Sequence, residues 1–153
     1  AVLLSAQFAV DLSAALKDAV SRGLPLHFIT EFEIYRPRLF WFNKKAASGH
    51  MEWRLSYYAL TRQYRLNSAS GSESYATLDE AITQMTALRD WPVTTIDRLD
   101  AGEEYIVRVR MRLDTAQLPK PFQITALTDS DWNPQSEWKG LSFVVPTQPT
   151  PAP

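Results

Sequence analysis

The clearest sequence pattern that could bind a ligand lies in the segment Asp129-Ser130-Asp131-Trp132-Asn133. It puts oxygen-bearing side chains at alternate positions. A calcium-binding loop begins with this spacing. Its sixth position is Pro134, where such a loop needs glycine, and its twelfth is Gly140, where the loop needs glutamate. Glu137 could supply a carboxylate instead, but the pattern favours a turn built on Asp and Ser side chains over a metal site.

The other reactive residue types form no recognisable catalytic or cofactor motif. The absence of cysteine excludes disulfides, thiolate catalysis and cysteine-ligated metals. The only histidines, His27 and His50, lack a zinc-binding spacing, and we expect the first in a strand and the second in an exposed turn. The segment Ser70-Gly71-Ser72 lacks the frame of a hydrolase nucleophile. We therefore expect no metal and no cofactor, and we favour a non-enzymatic role while leaving catalysis open.

The strongest strand signal runs from Tyr105 to Leu113, where apolar side chains alternate with a second set of residues. That second set is Ile106, Arg108, Arg110 and Arg112. This alternation predicts a strand that covers a core with one face and carries arginines on the other. Three interpretations of the arginines stay open: pairing across strands with Glu31 and Glu33, a solvated face, or binding of an anionic partner.

A second unusual segment is Leu39-Phe40-Trp41-Phe42, followed by Lys44 and Lys45. Neighbouring strand residues face opposite ways, so these apolar side chains are either buried on both faces or partly exposed. Exposed aromatic residues beside lysines suit a membrane interface or a protein partner. The candidate partner-binding residues are therefore Phe40, Trp41, Phe42, Lys44, Lys45, Arg108, Arg110 and Arg112.

Composition indicates one globular domain. The chain has 153 residues, of which 45% are hydrophobic and 22% charged, as is typical of folded proteins with a full core. A net charge of −1 argues against nucleic acid as a partner. No stretch approaches the roughly 20 apolar residues that a membrane-spanning helix needs. We expect a domain over residues 1–146 and a flexible, proline-rich tail over residues 147–153.

Periodicity and caps predict a mainly antiparallel α+β fold: a sandwich-like sheet system with two short helices. One helix begins after Asp11 or Ser13, and the other begins at the capping box of Thr77 and Glu80 and ends at Trp91-Pro92. The predicted strands cover residues 2–10, 26–36, 53–66, 105–113, 122–127 and 141–145, with an optional edge strand at 93–99. Loops are predicted over residues 43–50 and 68–74.

Several motifs resemble a known family. They are Gly23-Leu24-Pro25-Leu26, Arg36-Pro37-Arg38, Arg54-Leu55-Ser56-Tyr57 with Tyr64-Arg65, Arg112-Leu113-Asp114-Thr115, and Leu118-Pro119-Lys120-Pro121-Phe122-Gln123. In this order they resemble the proteobacterial family catalogued as domain of unknown function 4390, over the chain up to about Phe143. Trp132 and the segment from Ser136 to Trp138 are similar to its C-terminal pattern.

The resemblance implies a location more than an activity. Members of that family typically carry an N-terminal signal or anchor, and this chain opens on Ala1 without one. We therefore expect a periplasmic protein, or a membrane-anchored one facing the periplasm. Their genes often neighbour a sensor histidine kinase, which suggests envelope signalling. We expect a non-enzymatic protein that binds a protein or a lipid surface, with oligomeric state open. The alternative is a domain for a small anionic ligand, or an enzyme of unfamiliar type.

Overall fold

The computed structural model describes residues 2–37 and 44–146. Within them the strands are β1 (Val2–Gln7), β2 (Leu26–Arg36), β3 (Lys44–Tyr58), β4 (Gln63–Ser68), β5 (Gly71–Tyr75), β6 (Ala87–Thr94), β7 (Glu104–Leu113) and β8 (Lys139–Val144). The α-helices are α1 (Ala14–Ser21), α2 (Leu78–Thr86) and α3 (Lys120–Thr128). The domain boundary predicted at residue 146 stays a prediction, and the tail over residues 147–153 lies outside the described residues.

The strands form two antiparallel sheets. The larger has six strands in the order β5-β4-β3-β2-β7-β8, and the smaller pairs β1 with β6. Phe32 of the larger sheet meets Trp91 of the smaller one edge to face, with ring centroids 5.0 Å apart. The predicted α+β class with a sandwich-like sheet system is confirmed.

The core lies on one face of the larger sheet because apolar residues alternate along its central strands. On β2, Phe28, Phe32 and Ile34 are buried. On β7 the buried positions are Tyr105, Val107, Val109, Met111 and Leu113, so the predicted core face of that strand is confirmed. The one buried polar residue of β2, Thr30, accepts a hydrogen bond of 3.0 Å from the Trp53 indole. We call the opposite face of the sheet the polar face.

The first two helices begin where their caps predict. The Ser13 hydroxyl accepts a hydrogen bond from the Leu16 amide at the start of α1. The Thr77 hydroxyl does the same for the Glu80 amide at the start of α2. Each helix then buries its apolar stripe, which includes Leu16 in α1 and Met85 in α2.

Two predictions in the central hairpin are wrong. From Lys44 onward the predicted loop is the first part of β3, so His50 lies exposed on a strand rather than in a turn. Glycine is tolerated at position 49 of this strand because the Phe32 ring lies against it and fills the space that a side chain would occupy. The predicted strand over residues 53–66 is two strands, β3 and β4, joined by a turn in which Arg62 has φ 54°.

Further predicted elements differ from the structure. Helix α2 ends at Thr86, and β6 contains Trp91-Pro92 because it pairs with β1. Of the optional edge strand over residues 93–99, β6 contains only Val93 and Thr94. The predicted loop over residues 68–74 contains most of β5. The predicted strand over residues 122–127 is instead a third helix, α3, in which Pro121 occupies the first turn. Proline suits that position because its missing amide hydrogen has no partner there anyway.

Candidate functional site

The polar face carries an ion-pair ladder between β2 and β7. The antiparallel register puts Arg108 opposite Glu33 and Arg110 opposite Glu31. Arg108 Nη2 lies 2.9 Å from Glu33 Oε2, and Arg110 Nε lies 2.5 Å from Glu31 Oε1. Arg112 Nε reaches the same Glu31 oxygen at 3.2 Å. Of the three interpretations of the arginines, pairing across strands with Glu31 and Glu33 is confirmed.

The Glu31 carboxylate is held ionised by its two arginines. Burial tends to raise the pKa of Glu31, but the hydrogen bonds and positive charges of Arg110 and Arg112 outweigh it and hold that pKa below its usual value. The side chain is 22% exposed, whereas the arginines are 27% and 32% exposed. The ladder is therefore ordered by its own ion pairs and still open to solvent.

Trp138 joins this ladder from the segment before β8. Its ring lies under two guanidinium groups, with the Arg108 Cζ atom 4.3 Å and the Arg110 Cζ atom 4.4 Å from the ring centroid. Cations over an indole face are attracted by its negative π surface. Arg108 Nη2 also donates a 2.8 Å hydrogen bond to the Tyr35 hydroxyl.

The chain positions Trp138 by anchoring the preceding residues to the end of β7. The Leu113 amide donates to the Pro134 carbonyl at 3.0 Å, and the Ser136 amide donates to the Met111 carbonyl at 2.8 Å. The Ser136 hydroxyl accepts from the Met111 amide at 2.9 Å. Trp138 was not predicted as a site residue from the sequence. Its only signal was the family-like segment that contains it.

The other predicted site residues divide into two groups. Lys45 is exposed on the polar face, where it pairs in register with Tyr35. Lys44 begins β3, and its side chain lies outside the description. Phe40, Trp41 and Phe42 fall outside the described residues, so their proposed partner contacts stay predictions.

Positive charge predominates on the described polar face. The cationic residues at its registered positions are Lys45, Arg54, Arg65, Arg108, Arg110 and Arg112, and the acidic ones are Glu31, Glu33, Glu52 and Glu104. Six cationic residues against four acidic ones leave a cationic surplus, which attracts acidic groups.

A cleft of about 910 Å³ lies beside β3. Met51 to Arg54 form one wall, the β4–β5 turn another, and the first residues of β6 a third. Arg54 and Arg89 line it together with Glu52 and Asp90, so the cleft has no cationic surplus for a small anion. Both histidines border this cleft as well.

The calcium-like segment forms the predicted turn. The Asp129 carboxylate accepts a 3.0 Å hydrogen bond from the Asp131 amide and caps a single 3₁₀ turn over Ser130–Trp132. This is the local bond by which Asp side chains stabilise turns. His27 is half-buried on β2, as expected for a strand histidine.

The polar face carries ordered charged and aromatic side chains. In the described ranges 2–37 and 44–146, no three His, Asp or Glu side chains cluster as a metal site. None of the helices in those ranges is long and apolar enough to cross a membrane. What stands out is a sheet face on which arginine, tryptophan and tyrosine are fixed by mutual contacts.

Fold and site together define a small antiparallel sandwich domain with an arginine-rich sheet face. The model of the family described as Domain of unknown function (DUF4390) matches residues 1–142. The chain therefore belongs to this family, and the resemblance inferred from its motifs is confirmed. No curated protein and no solved structure matches the chain.

Proposed function

We propose that this chain is a non-enzymatic domain of the bacterial envelope that binds a protein partner through its polar sheet face. The centre of binding is the arginine–tryptophan surface, defined as Arg108, Arg110, Arg112 and Trp138. The stacking of Trp138 against two arginines carries this proposal. Arginine, tryptophan and tyrosine dominate the energetics of protein interfaces, and here they are already in place on an open face.

Preorganisation supports a binding role for this surface. Ordering a long arginine side chain on binding costs about 0.5–1.5 kcal/mol, which a partner avoids if the side chain is already fixed. Arg108 is held by Glu33, Tyr35 and Trp138 while its side chain remains 40% exposed. The cationic surplus favours an acidic partner surface.

The location and the partner class are proposed from what the family resemblance implies. The envelope location, and a link to a sensor kinase system, are expectations for this family and part of the proposal. They make an envelope signalling protein the first partner to test. The aromatic segment of Phe40, Trp41 and Phe42, with Lys44 and Lys45, is proposed to extend the contact.

The test is site-specific photocrosslinking in the native envelope. A photoreactive residue at Ser142, exposed on the polar face opposite Ile106, is expected to capture a protein. The matched control is Gln84, exposed on α2, which should capture nothing in common with it. Substituting Trp138→Ala or Arg110→Gln should reduce the Ser142 adduct by about tenfold or more while circular dichroism stays unchanged.

Two outcomes would contradict the proposal. An adduct that is insensitive to both substitutions would show that the arginine–tryptophan surface does not bind the partner. Adducts to phospholipid alone, with cosedimentation on phosphatidylglycerol vesicles that Trp138→Ala abolishes, would assign this face to a lipid surface instead.

A further inference from the structure

Strand β3 leaves part of one edge unpaired. On its inner side it pairs with β2 from Lys44 to Leu55, but on its outer side β4 covers only Arg54 to Tyr58. Among the described residues no strand pairs with the outer edge before Arg54. An open edge carries backbone N–H and C=O groups that can hydrogen-bond another strand.

Space beside that edge allows a strand to approach. The cleft of about 910 Å³ borders Met51, Glu52 and Trp53, so residues 2–37 and 44–146 do not fill this position. The side chains along the edge that point to the polar face are also exposed. They are Lys45, Ser48, His50 and Glu52.

A bulge makes the charges of this edge symmetrical. The register with β2 shifts between Ile34 and Tyr35, which leaves Ala46 as the extra residue. Because of that shift Lys45 lies on the polar face with Glu52. Counted by their partner residues on β2, Lys45 and Glu52 lie at equal distances on either side of Gly49. A strand with a base at one end and an acid at the other is complementary to an antiparallel copy of itself.

We propose that two copies of this chain associate through their β3 edges, antiparallel about a twofold axis at Gly49. The opposed residues would be Lys45 with Glu52, Ala47 with Met51, Ser48 with His50, and Gly49 with its copy. Like charges meet nowhere in this register, and small residues occupy its centre. The partner's Ala47 enters at Met51, where the cleft has room.

The charge pattern also explains why the edge selects its partner. Lysines and bulges on edge strands commonly prevent indiscriminate pairing. Here Lys45 and Glu52 favour a partner strand that has a carboxylate opposite Lys45 and a cation opposite Glu52. A second copy of β3 provides both. The contact is small, so the dimer belongs to the weak, reversible class of interfaces.

The test is a charge exchange followed by sedimentation velocity over a wide concentration range. The unmodified chain should show a reversible monomer–dimer equilibrium. Glu52→Lys alone, or Lys45→Glu alone, should raise Kd by about tenfold, since each reverses two symmetry-related pairs. An equimolar mixture of the two variants should restore association, because each supplies the charge that the other lost. The double variant should associate like the unmodified chain.

Controls separate this contact from a general charge effect. Glu73→Lys makes the same charge change on β5, the other edge of this half of the sheet, and should leave Kd unchanged. Circular dichroism and a thermal melt verify that every variant folds. A monomer at all concentrations, a Kd insensitive to the reversals, or a mixture no tighter than its components would each overturn the proposal.

Disulfide trapping checks the register. The chain has no cysteine, so introduced thiols report one contact only. Copies carrying Ser48→Cys should crosslink with copies carrying His50→Cys under mild oxidation, whereas either variant alone should not. Crosslinks within one variant, without the mixed product, would overturn the proposed register.

Discussion

The two faces of the β2–β7 pair use alternate residues of the same strands but differ in the forces that hold them. On the core face, Phe28, Ile34 and Met111 are fully buried. On the polar face, the Arg110 and Glu31 side chains remain 27% and 22% exposed and are held by an ion pair. Apolar burial supplies most of the stability of a domain, whereas half-exposed ion pairs supply little. The polar face should therefore contribute less to the free energy of folding than the core face does.

The largest effect should follow from truncating the core face. Phe28→Ala removes a fully buried ring and is expected to lower the free energy of unfolding by about 3–5 kcal/mol, measured by urea denaturation. The matched control is Ile29→Ala, the half-buried neighbour on the polar face. If both substitutions cost the same, the two faces do not differ as described.

A smaller effect is expected where a glycine lets the core face close. A Cβ atom at Gly49 would lie 2.7 Å from Phe32 Cε1, and that ring is itself packed on Trp91. Gly49→Ala should therefore lower the free energy of unfolding by about 1–3 kcal/mol. Its exposed neighbour, changed as Ser48→Ala, should stay within about 0.5 kcal/mol of the unmodified chain. A neutral Gly49→Ala would mean that Phe32 moves freely.

These two positions show how far the sequence could predict the fold. The strand over residues 26–36 that contains Phe28 was predicted from the sequence, because its local pattern agrees with the burial that the tertiary structure gives it. Gly49 was assigned to a loop, since glycine and small residues favour turns locally. Its place in β3 depends on the Phe32 ring from another strand. The pattern of residues within one strand does not predict such a contact, because the contact arises only when the two strands pair.

The candidate site divides in the same way. Pairing of Arg108 and Arg110 with glutamates could be anticipated, because charge alternation on both strands was visible. Trp138 could not, since its position depends on hydrogen bonds from Leu113 and Ser136 to distant backbone groups. The face on which Lys45 lies likewise depends on a bulge, and no residue type in this segment predicts a bulge.

The ion-pair ladder should make a pH-dependent contribution that the core face lacks. The folded-state pKa of Glu31 lies below its ordinary value of 4.5, so its stabilisation is present above that value and is lost as the pH falls through the lowered pKa. Glu31→Gln should cost about 1–2 kcal/mol at neutral pH, because it replaces the carboxylate shared by Arg110 and Arg112 with a neutral amide.

Denaturation of both proteins at a series of pH values would measure this contribution. The difference between the unmodified chain and Glu31→Gln should stay constant from neutral pH to about 5 and shrink at lower pH. Glu104→Gln is the control, because that exposed carboxylate on the same face forms no ion pair with the described residues. A difference that persists in acid would mean that the Glu31 contribution is packing rather than charge.

The smallest effect on stability should come from Trp138. Trp138→Leu keeps an apolar side chain but removes the π surface under Arg108 and Arg110. The expected cost is about 0.5–1 kcal/mol, the usual strength of an exposed cation–π contact. The two guanidinium groups should become more mobile, which NMR relaxation of their Nε–Hε groups would detect. Trp132→Leu, which removes a stacked partner of Phe122, should leave them unchanged. If the arginines stay rigid without the indole, Glu31, Glu33 and Tyr35 are sufficient to order them. The preorganisation of the surface would then come from the ion-pair ladder and not from the contact with Trp138.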